Sequence, residues 1–573
     1  MTRARRLVRF AALAVATAII LTNAYYLRLF EPALSRGRVA AAVLVACAIA
    51  LAAAEWGLPR GRGAWRDIVR RAAPVVILAA ILGVAFGLRL WGITSGLPQS
   101  YVADEYDFVH AVLRMMKGGD LNPHSWYHPS LQPYLALATY TAVFLLEVPR
   151  GRWSHVHQIT EEDMLYWGRF TGVMAGTATV LATFFLARRL FGPRVGLLAA
   201  ALMAVFPAAV QHSQYNKPDP VLALMTTISV LVILVYLERG GGARALAAGA
   251  VIGLSLSAKY NGIVVIVPFL LAVAFRHGRR ALTRPDLYVG GAGIVLGFVL
   301  GCPYFLSEFN IFLDHVADDI YTYAYAGRAG AEGVDNWAGH ATYTYRYGAG
   351  IWATMAAVCG LGLVLYRMNA ALAVFVSFPI LYYGYYSTQR VNYRPNLLPI
   401  YPFLAVLAAY ACVELLRWGA SRARPHGPLI RLASAGLLLA LLAPPLRTAV
   451  RYNIETTRRD TGNEAREWIQ RTFPPGTHFA LERHTPVLDR ARYKITQEAR
   501  LITRSVKSYR DQGVEYLVVS SMTFDRFDAQ HNQTRSYQKL FALCPVVQEF
   551  APIPERRPGP TIRILRVPSG ASE

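Results

Sequence analysis

The sequence predicts a polytopic α-helical membrane protein with a small C-terminal α/β domain, and three observations carry that prediction. Of 573 residues, 54% are hydrophobic and only 16% charged. The apolar residues gather in blocks of roughly 16 to 22, long enough as helices to cross a bilayer core. After about residue 451 the pattern changes: Asn463 to Phe473 is helix-like, Pro474, Pro475 and Gly476 mark a turn, and Val514 to Ser520 and Thr561 to Val567 read as strands.

The chain carries 59 basic against 35 acidic residues, a formal charge of +24. In a soluble protein this would suggest nucleic acid. Here many arginines flank apolar blocks on alternating sides, so the charge reports topology and no nucleic-acid partner is expected. Cys47, Cys302, Cys359 and Cys412 lie in or beside apolar blocks and Cys544 stands apart, a spacing that suggests neither a disulfide framework nor a zinc site. Met1 to Leu27 starts basic and then runs apolar through Leu21 without a small-residue cleavage site, and is read as a retained first helix.

Blocks that can span fall near 8–28, 38–58, 73–94, 167–187, 195–211, 220–237, 244–258, 261–275, 287–306, 349–366, 371–386, 396–416 and 429–449, about thirteen helices. Block 131–148 is apolar enough to join them, but crossing there would reverse everything that follows. The arginine clusters at 3–6, 60–71, 188–194, 239–244, 276–284 and 417–431 share one side only if it does not cross. It is therefore expected as a helix lying on the outer interface, with the N-terminus cytoplasmic. Segments 94–167, 307–348 and 451–573 then face outward.

Carboxylates beside a membrane surface are costly to desolvate and mark candidate sites. Asp104 and Glu105, with Asp107, follow the third span; Asp104 as a helix N-cap is the competing reading. Asp219, bracketed by Pro218 and Pro220, falls on the same face; its competing reading is a loop carboxylate paired with Lys217. Lys259, Arg390 and Arg394 are cations on the side that the positive-inside rule depletes, where they can hold a phosphate or snorkel to headgroups. His124 and His128 lie four apart, but Pro123 and Pro129 break any helix that would align them as metal ligands, and no metal site is expected. The tyrosine-rich stretch 321–347, with Trp337 and Arg346, reads first as an interfacial aromatic belt and second as a sugar-stacking surface.

Together these residues resemble the GT-C fold glycosyltransferases of the protein O-mannosyltransferase and aminoarabinose transferase type, family 39, over about 89–402. The resemblance rests on Asp104-Glu105, Gly119-Asp120, Tyr127-His128-Pro129 before a juxtamembrane helix, Arg169 opening the next span, RRLFGPR at its far end, Asp219 in KPDP, Lys259 in AKYNG and Arg394 in YRPNLLPIYP. It departs where the family's double proline is replaced by His128-Pro129-Ser130. The C-terminal domain is also unlike the mannosyltransferases' sugar-binding repeats, so a protein acceptor is not assumed.

The chain is then expected in three parts: 1–72 with two helices extra to the family's first, a GT-C catalytic membrane domain at 73–450, and an α/β domain at 451–573 that the topology places outside the membrane. The resemblance implies an inverting transfer of sugar from a polyprenyl-phosphate donor to a protein, glycolipid or polysaccharide acceptor outside the inner membrane. Asp104 would be the base, with Glu105 and Asp219 orienting acceptor and base. Lys259, Arg169, Arg390 and Arg394 would bind the donor phosphate, and Tyr127 and His128 would form a substrate loop. No cofactor is required, and a divalent cation is left open. Two rivals are a transporter or flippase of lipid-linked sugars, which would not need paired carboxylates on one face, and a scaffolding subunit with a degenerate core.

Overall fold

The computed structural model describes residues 64–102, 104–327, 336–422, 427–526, 532–554 and 556–569. The expected spans at 8–28 and 38–58 lie outside the described residues. Every later block expected to span is helical, but 195–211 breaks at Phe206 into Pro193–Val205 and Pro207–His212, and 261–275 and 396–416 each begin in a 3-10 segment. In chain order the main helices, spanning and not, are α1 (Ala64–Trp91), α2 (Glu105–Gly118), α3 (Leu131–Glu147), α4 (Glu161–Phe191), α5 (Pro193–Val205), α6 (Asp219–Arg239), α7 (Gly242–Ala258), α8 (Ile266–His277), α9 (Pro285–Gly301) and α10 (Phe309–Tyr321). They continue as α11 (Ile351–Tyr366), α12 (Ala370–Ser387), α13 (Tyr401–Arg422) and α14 (Gly427–Thr456). Among the described residues seven helical segments are long and apolar enough to cross a membrane, one of them the segment Leu131–Arg150 that begins with α3.

The organising helix is α4. Its 31 residues span about 46 Å, more than a hydrocarbon core. Thr160 and Asp163 close a reciprocal capping box at its start, and Arg188 and Arg189 sit in its last turn, where the helix dipole favours cations. Arg189 pairs there with Glu238 of α6, and Arg276 donates to the Leu237 carbonyl, so these basic residues gather at one end of the bundle.

Helices α7 and α9 approach on glycine. A Cβ on Gly249 would sit 1.9 Å from the Gly290 carbonyl oxygen, and one on Gly297 would sit 2.0 Å from that of Ala250. Lipid offers apolar side chains no hydrophobic gain from pairing, so close backbone packing through small residues is what holds such helices together.

The C-terminal domain begins with α15 (Thr461–Thr472) and contains strands β1 (His478–Leu481), β2 (Lys494–Gln497), β3 (Tyr516–Ser520), β4 (Val546–Phe550) and β5 (Ile562–Arg566), with α16 (Asn532–Leu543) between β3 and β4. The sheet order is β2-β1-β3-β5-β4, with β1, β2 and β3 parallel and β5 antiparallel to both β3 and β4. Side chains alternate between two cores: Phe479, Leu481, Val518 and Ile564 pack under α15, while Ala480, Leu517, Val519 and Leu565 pack under α16. The expected strands at 514–520 and 561–567 are β3 and β5. The sequence reading missed β1, β2 and β4: β1 and β2 are four residues long, and β4, like β2, is a largely exposed edge strand without the buried apolar run of β3 and β5.

Candidate functional site

The site gathers the loop after α1, the first turns of α4, the segment that leads into α6, the turn after α7 and the loop after α12. Its foundation is a glycine face on α4. Cβ atoms on Gly168, Gly172 and Gly176 would lie 2.5 Å from the Asn216 amide nitrogen, 2.7 Å from the Tyr215 carbonyl oxygen and 2.0 Å from the Ser213 hydroxyl. Segment 213–216 therefore beds directly on the helix, and Gln132 of α3 holds its far side with a 2.7 Å hydrogen bond to Asn216. Lys217 and Asp219 follow at once.

Neighbouring carboxylates face opposite ways. Glu105 is fully buried and receives Arg169 at 3.0 Å (Nε to Oε1) and 2.8 Å (Nη2 to Oε2), the Asn216 backbone N–H at 2.7 Å, and the Ser100 hydroxyl. Arg169 also donates to the Ile93 and Ser95 carbonyls at 3.0 and 2.6 Å. This pair ties the loop after α1, the start of α2 and the loop before α6 into one block. It corrects two expectations. Arg169 has its donors occupied by Glu105 and two carbonyls rather than presented to a phosphate. Glu105 is turned into the protein instead of toward an acceptor.

Asp104 is the opposite case. It occupies the N-cap position of α2 with φ 71°, in the left-handed region, and makes no side-chain capping bond. A non-glycine residue there is uncommon and strained, and a cap that caps nothing leaves no local gain to offset the strain. The capping alternative is thus corrected: the carboxylate is partly exposed and reaches Lys217 at 3.6 Å.

Asp219 opens α6 and lies 2.9 Å from the Lys259 ammonium, which also donates to Asn396 at 2.6 Å. Both charges are largely buried, so each depends on the other to offset desolvation. The expected partner of Asp219, Lys217, goes to Asp104 instead. Lys259 owes its place to extended backbone at the end of α7, φ −162° and ψ 139°, which turns its side chain in under the bundle rim.

His128 joins the two carboxylates. Asp104, Asp219, Lys217 and Lys259 all act electrostatically on its ring, which stacks on Phe108 at 5.4 Å. Burial and then the Lys259 ammonium push this imidazole down to about 4, so it is a neutral group at ordinary pH. His124 faces elsewhere, between Asp120 at 2.7 Å and Glu308 at 2.6 Å, so the two histidines do not converge. Those carboxylates hold His124 above its usual value. Burial works against the Glu308 charge, yet Trp126, His124 and Asn122 keep its carboxyl below the ordinary range. This network clamps segment 120–126 to the start of α10, and Tyr127 stacks on His315 of α10 at 4.2 Å. No group of three or more His, Cys, Asp or Glu suited to a metal occurs among the described residues.

Arg390 and Arg394 are exposed on the loop that follows α12, and no carboxylate pairs with either among the described residues. Arg394 lies 5.3 Å over the Tyr343 ring. Residues that sequence reasoning missed are Asn396, which completes the Lys259 shell, His212, 3.3 Å from the Tyr343 hydroxyl, and Lys217 as partner of Asp104. Their signal was present as polar residues where apolar blocks end, in QHSQYNKPD and RPNLLP. Nothing local ranked them above their neighbours.

Residues 154–303 match the sequence profile of the family described as dolichyl-phosphate-mannose-protein mannosyltransferase. An undecaprenyl phosphate-alpha-4-amino-4-deoxy-L-arabinose arabinosyl transferase of Pseudomonas aeruginosa is 24% identical over 384 residues, covering 64% of this chain and 65% of the relative. The same enzyme of Pseudomonas paraeruginosa is 24% identical over 386 residues, with the same coverage. The chain thus spans just under two thirds of the length of these relatives. Among solved structures, ArnT from Cupriavidus metallidurans bound to undecaprenyl phosphate superposes with a TM-score of 0.52 at 15% identity, covering 87% of this chain and 99% of that one. The archaeal oligosaccharyltransferase AglB from Archaeoglobus fulgidus gives 0.51 at 12% identity, covering 79% and 70%. The chain shares the fold of these two proteins, the GT-C membrane fold that the sequence resemblance implied.

Proposed function

We propose, from the GT-C fold, that the chain is an inverting glycosyltransferase that moves a sugar from a polyprenyl-phosphate donor to an acceptor hydroxyl on the outer side of a cell inner membrane. One observation carries the reading: Asp104 is held in a strained left-handed conformation, uses its carboxylate for no cap, and shares one rim with the buried Asp219–Lys259 pair. A fold that only packed helices would have no use for that arrangement. The names of the relatives and the undecaprenyl phosphate bound by the similar ArnT support the donor class.

In this mechanism Asp104 takes the proton from the acceptor hydroxyl as its oxygen bonds to the anomeric carbon. The bond from that carbon to the phosphate oxygen breaks, and polyprenyl phosphate leaves with the electron pair. In this reading Lys259, Arg390 and Arg394 neutralise the charge on the leaving phosphate. Asp219 fixes Lys259, and the neutral His128 with Tyr127 lines the substrate loop. The Glu105–Arg169 pair positions the loops without touching substrate. The prenyl tail would stay in the hydrocarbon, which explains a site at the rim.

The finer architecture belongs to the same proposal: about thirteen spans including two in 1–72, a catalytic membrane domain at 73–450, α3 lying on the outer interface, a cytoplasmic N-terminus and an extracytoplasmic domain at 451–573. Transfer of radiolabelled sugar from polyprenyl phosphate, in membranes carrying matched amounts of the wild type or Asp104→Asn, tests the reading against a panel of envelope acceptors. Wild-type transfer that is lost in the variant supports it. Equal transfer by both removes Asp104 from the chemistry, and absence of transfer by the wild type across donors returns the transporter reading.

A further inference from the structure

The C-terminal domain touches the membrane core at the segment that carries Asp104. The Tyr101 hydroxyl donates to Asp460 at 2.6 Å, Gln99 donates to the same oxygen at 3.3 Å, and Asn463 donates to the Leu97 carbonyl at 3.3 Å. Asp460 is itself buried and accepts the Asn463 backbone N–H at 2.9 Å, which makes it the N-cap of α15. The fit admits no slack: a Cβ on Gly462 would lie 1.9 Å from the Tyr101 hydroxyl oxygen. On the other flank His484, in the left-handed region at φ 63°, meets the backbone of Ser100. Ser100 in turn donates to Glu105. Segment 97–102 is therefore gripped from the outside by α15 and the loop after β1, and Tyr101 lies three residues before the strained Asp104. A cavity of about 410 Å³ beside it, lined by Tyr101, Val102, Tyr215, Ser521, Met522 and Pro560, leaves that flank open, so on the outer side the domain holds the segment through these few bonds.

We infer that Tyr101 and Asp460 are positioning residues through which the C-terminal domain sets the reach of Asp104. The inference rests on the glycosyltransferase reading for its kinetic consequence, but its structural content stands apart from it. A carboxylate displaced by about 1 Å loses reactivity far more than the donor loses affinity, because the donor is held by other loops.

Three variants of the full-length protein separate this link from the helix cap. Tyr101→Phe removes only the hydroxyl, and Asp460→Ser keeps a capping oxygen but is too short to reach Tyr101. Asp460→Asn keeps both the cap and the acceptor. The expected result is a kcat about ten- to a hundredfold lower in Tyr101→Phe and Asp460→Ser with the donor KM unchanged, and recovery in Asp460→Asn. Backbone amide exchange read on the same proteins is expected to quicken over residues 99–108 in the first two variants only. Wild-type kcat and exchange in Tyr101→Phe overturn the inference. If the wild type transfers no sugar, the functional reading falls, and the exchange measurement still decides the link.

Discussion

Two buried ion pairs lie in the same region of the molecule and do different work. Glu105–Arg169 is saturated: the guanidinium has a carboxylate and two carbonyls, and the carboxylate has Arg169, a backbone N–H and a hydroxyl. Asp219–Lys259 is bound by fewer partners and sits within electrostatic reach of His128 at the rim. A saturated pair can only hold, whereas a pair at a rim can still meet a ligand. Burial, which is similar for the two, does not tell them apart; the completeness of the hydrogen bonding does.

The largest effect expected is on chemistry. Asp104→Asn should lower transfer by about 10²- to 10⁴-fold, the range of a lost general base, with unchanged protein level and thermal midpoint. A stability loss instead would make Asp104 a structural residue.

The two pairs are separated by double substitution. Removing one partner of a buried pair costs about 3–5 kcal/mol, while replacing both with apolar residues of similar size is often near neutral. Arg169→Met is expected to lower the thermal midpoint, and adding Glu105→Leu to regain only part of it, because the Asn216 N–H, the Ser100 hydroxyl and the Ile93 and Ser95 carbonyls lose their partner. Lys259→Met combined with Asp219→Leu should regain stability in the same assay but not transfer. Recovery of transfer by that second double variant would make both pairs struts.

Next in size is the glycine bed. Gly172→Val places a Cβ 2.7 Å from the Tyr215 carbonyl oxygen, so backbone must move, at a cost of about 1–3 kcal/mol, read as a lowered midpoint and reduced transfer. An unchanged protein would show that segment 213–216 is not anchored on α4.

The pH dependence of the C-terminal domain sharpens the comparison from outside the membrane. Glu482, enclosed between β1 and α16, is pushed up to about 7 by burial from its ordinary 4.5, despite accepting from Tyr537 at 2.6 Å and the Ser520 N–H at 2.9 Å. The folded domain thus binds this proton more tightly than the unfolded chain. Its contribution is full below about pH 4.5 and falls as pH rises through 7, by about 3 kcal/mol in all. Glu482→Gln should flatten that decline in a denaturation series between pH 5 and 8. An identical decline in the variant would place the titration elsewhere.

The smallest effect concerns the clamp at His124. Its value is raised, so its contribution is present below about pH 6.5 and lost as pH climbs through the folded value. His124→Asn should remove that pH dependence from proteolytic cleavage within 119–127, and cleavage that still varies with pH would exclude the clamp.

Much of the fold was readable in advance because hydropathy is additive along the chain. Each block from 73–94 onward is helical, with 195–211 broken at Phe206, and both anticipated strands formed. Asp104, Asp219 and Lys259 stood out because charges beside apolar blocks are costly wherever the chain goes. What could not be read was partnership. Lys217 adjoins Asp219 in sequence but pairs with Asp104, because the loop bends back over α4. Arg169 looked like a free cation, and only the packing of α2 against α4 occupies it.

The sequence by itself determined a helical membrane core, its segments, the sidedness that its arginines favour and the short set of polar residues worth weighing. All of these follow from transfer energies that each residue carries alone. Tertiary structure decided which carboxylate holds and which is offered. Those roles depend on contacts between residues 64 positions apart in Arg169 and Glu105, 40 in Lys259 and Asp219, and 359 in Tyr101 and Asp460. Helix packing brings them together, and no local preference encodes such pairings.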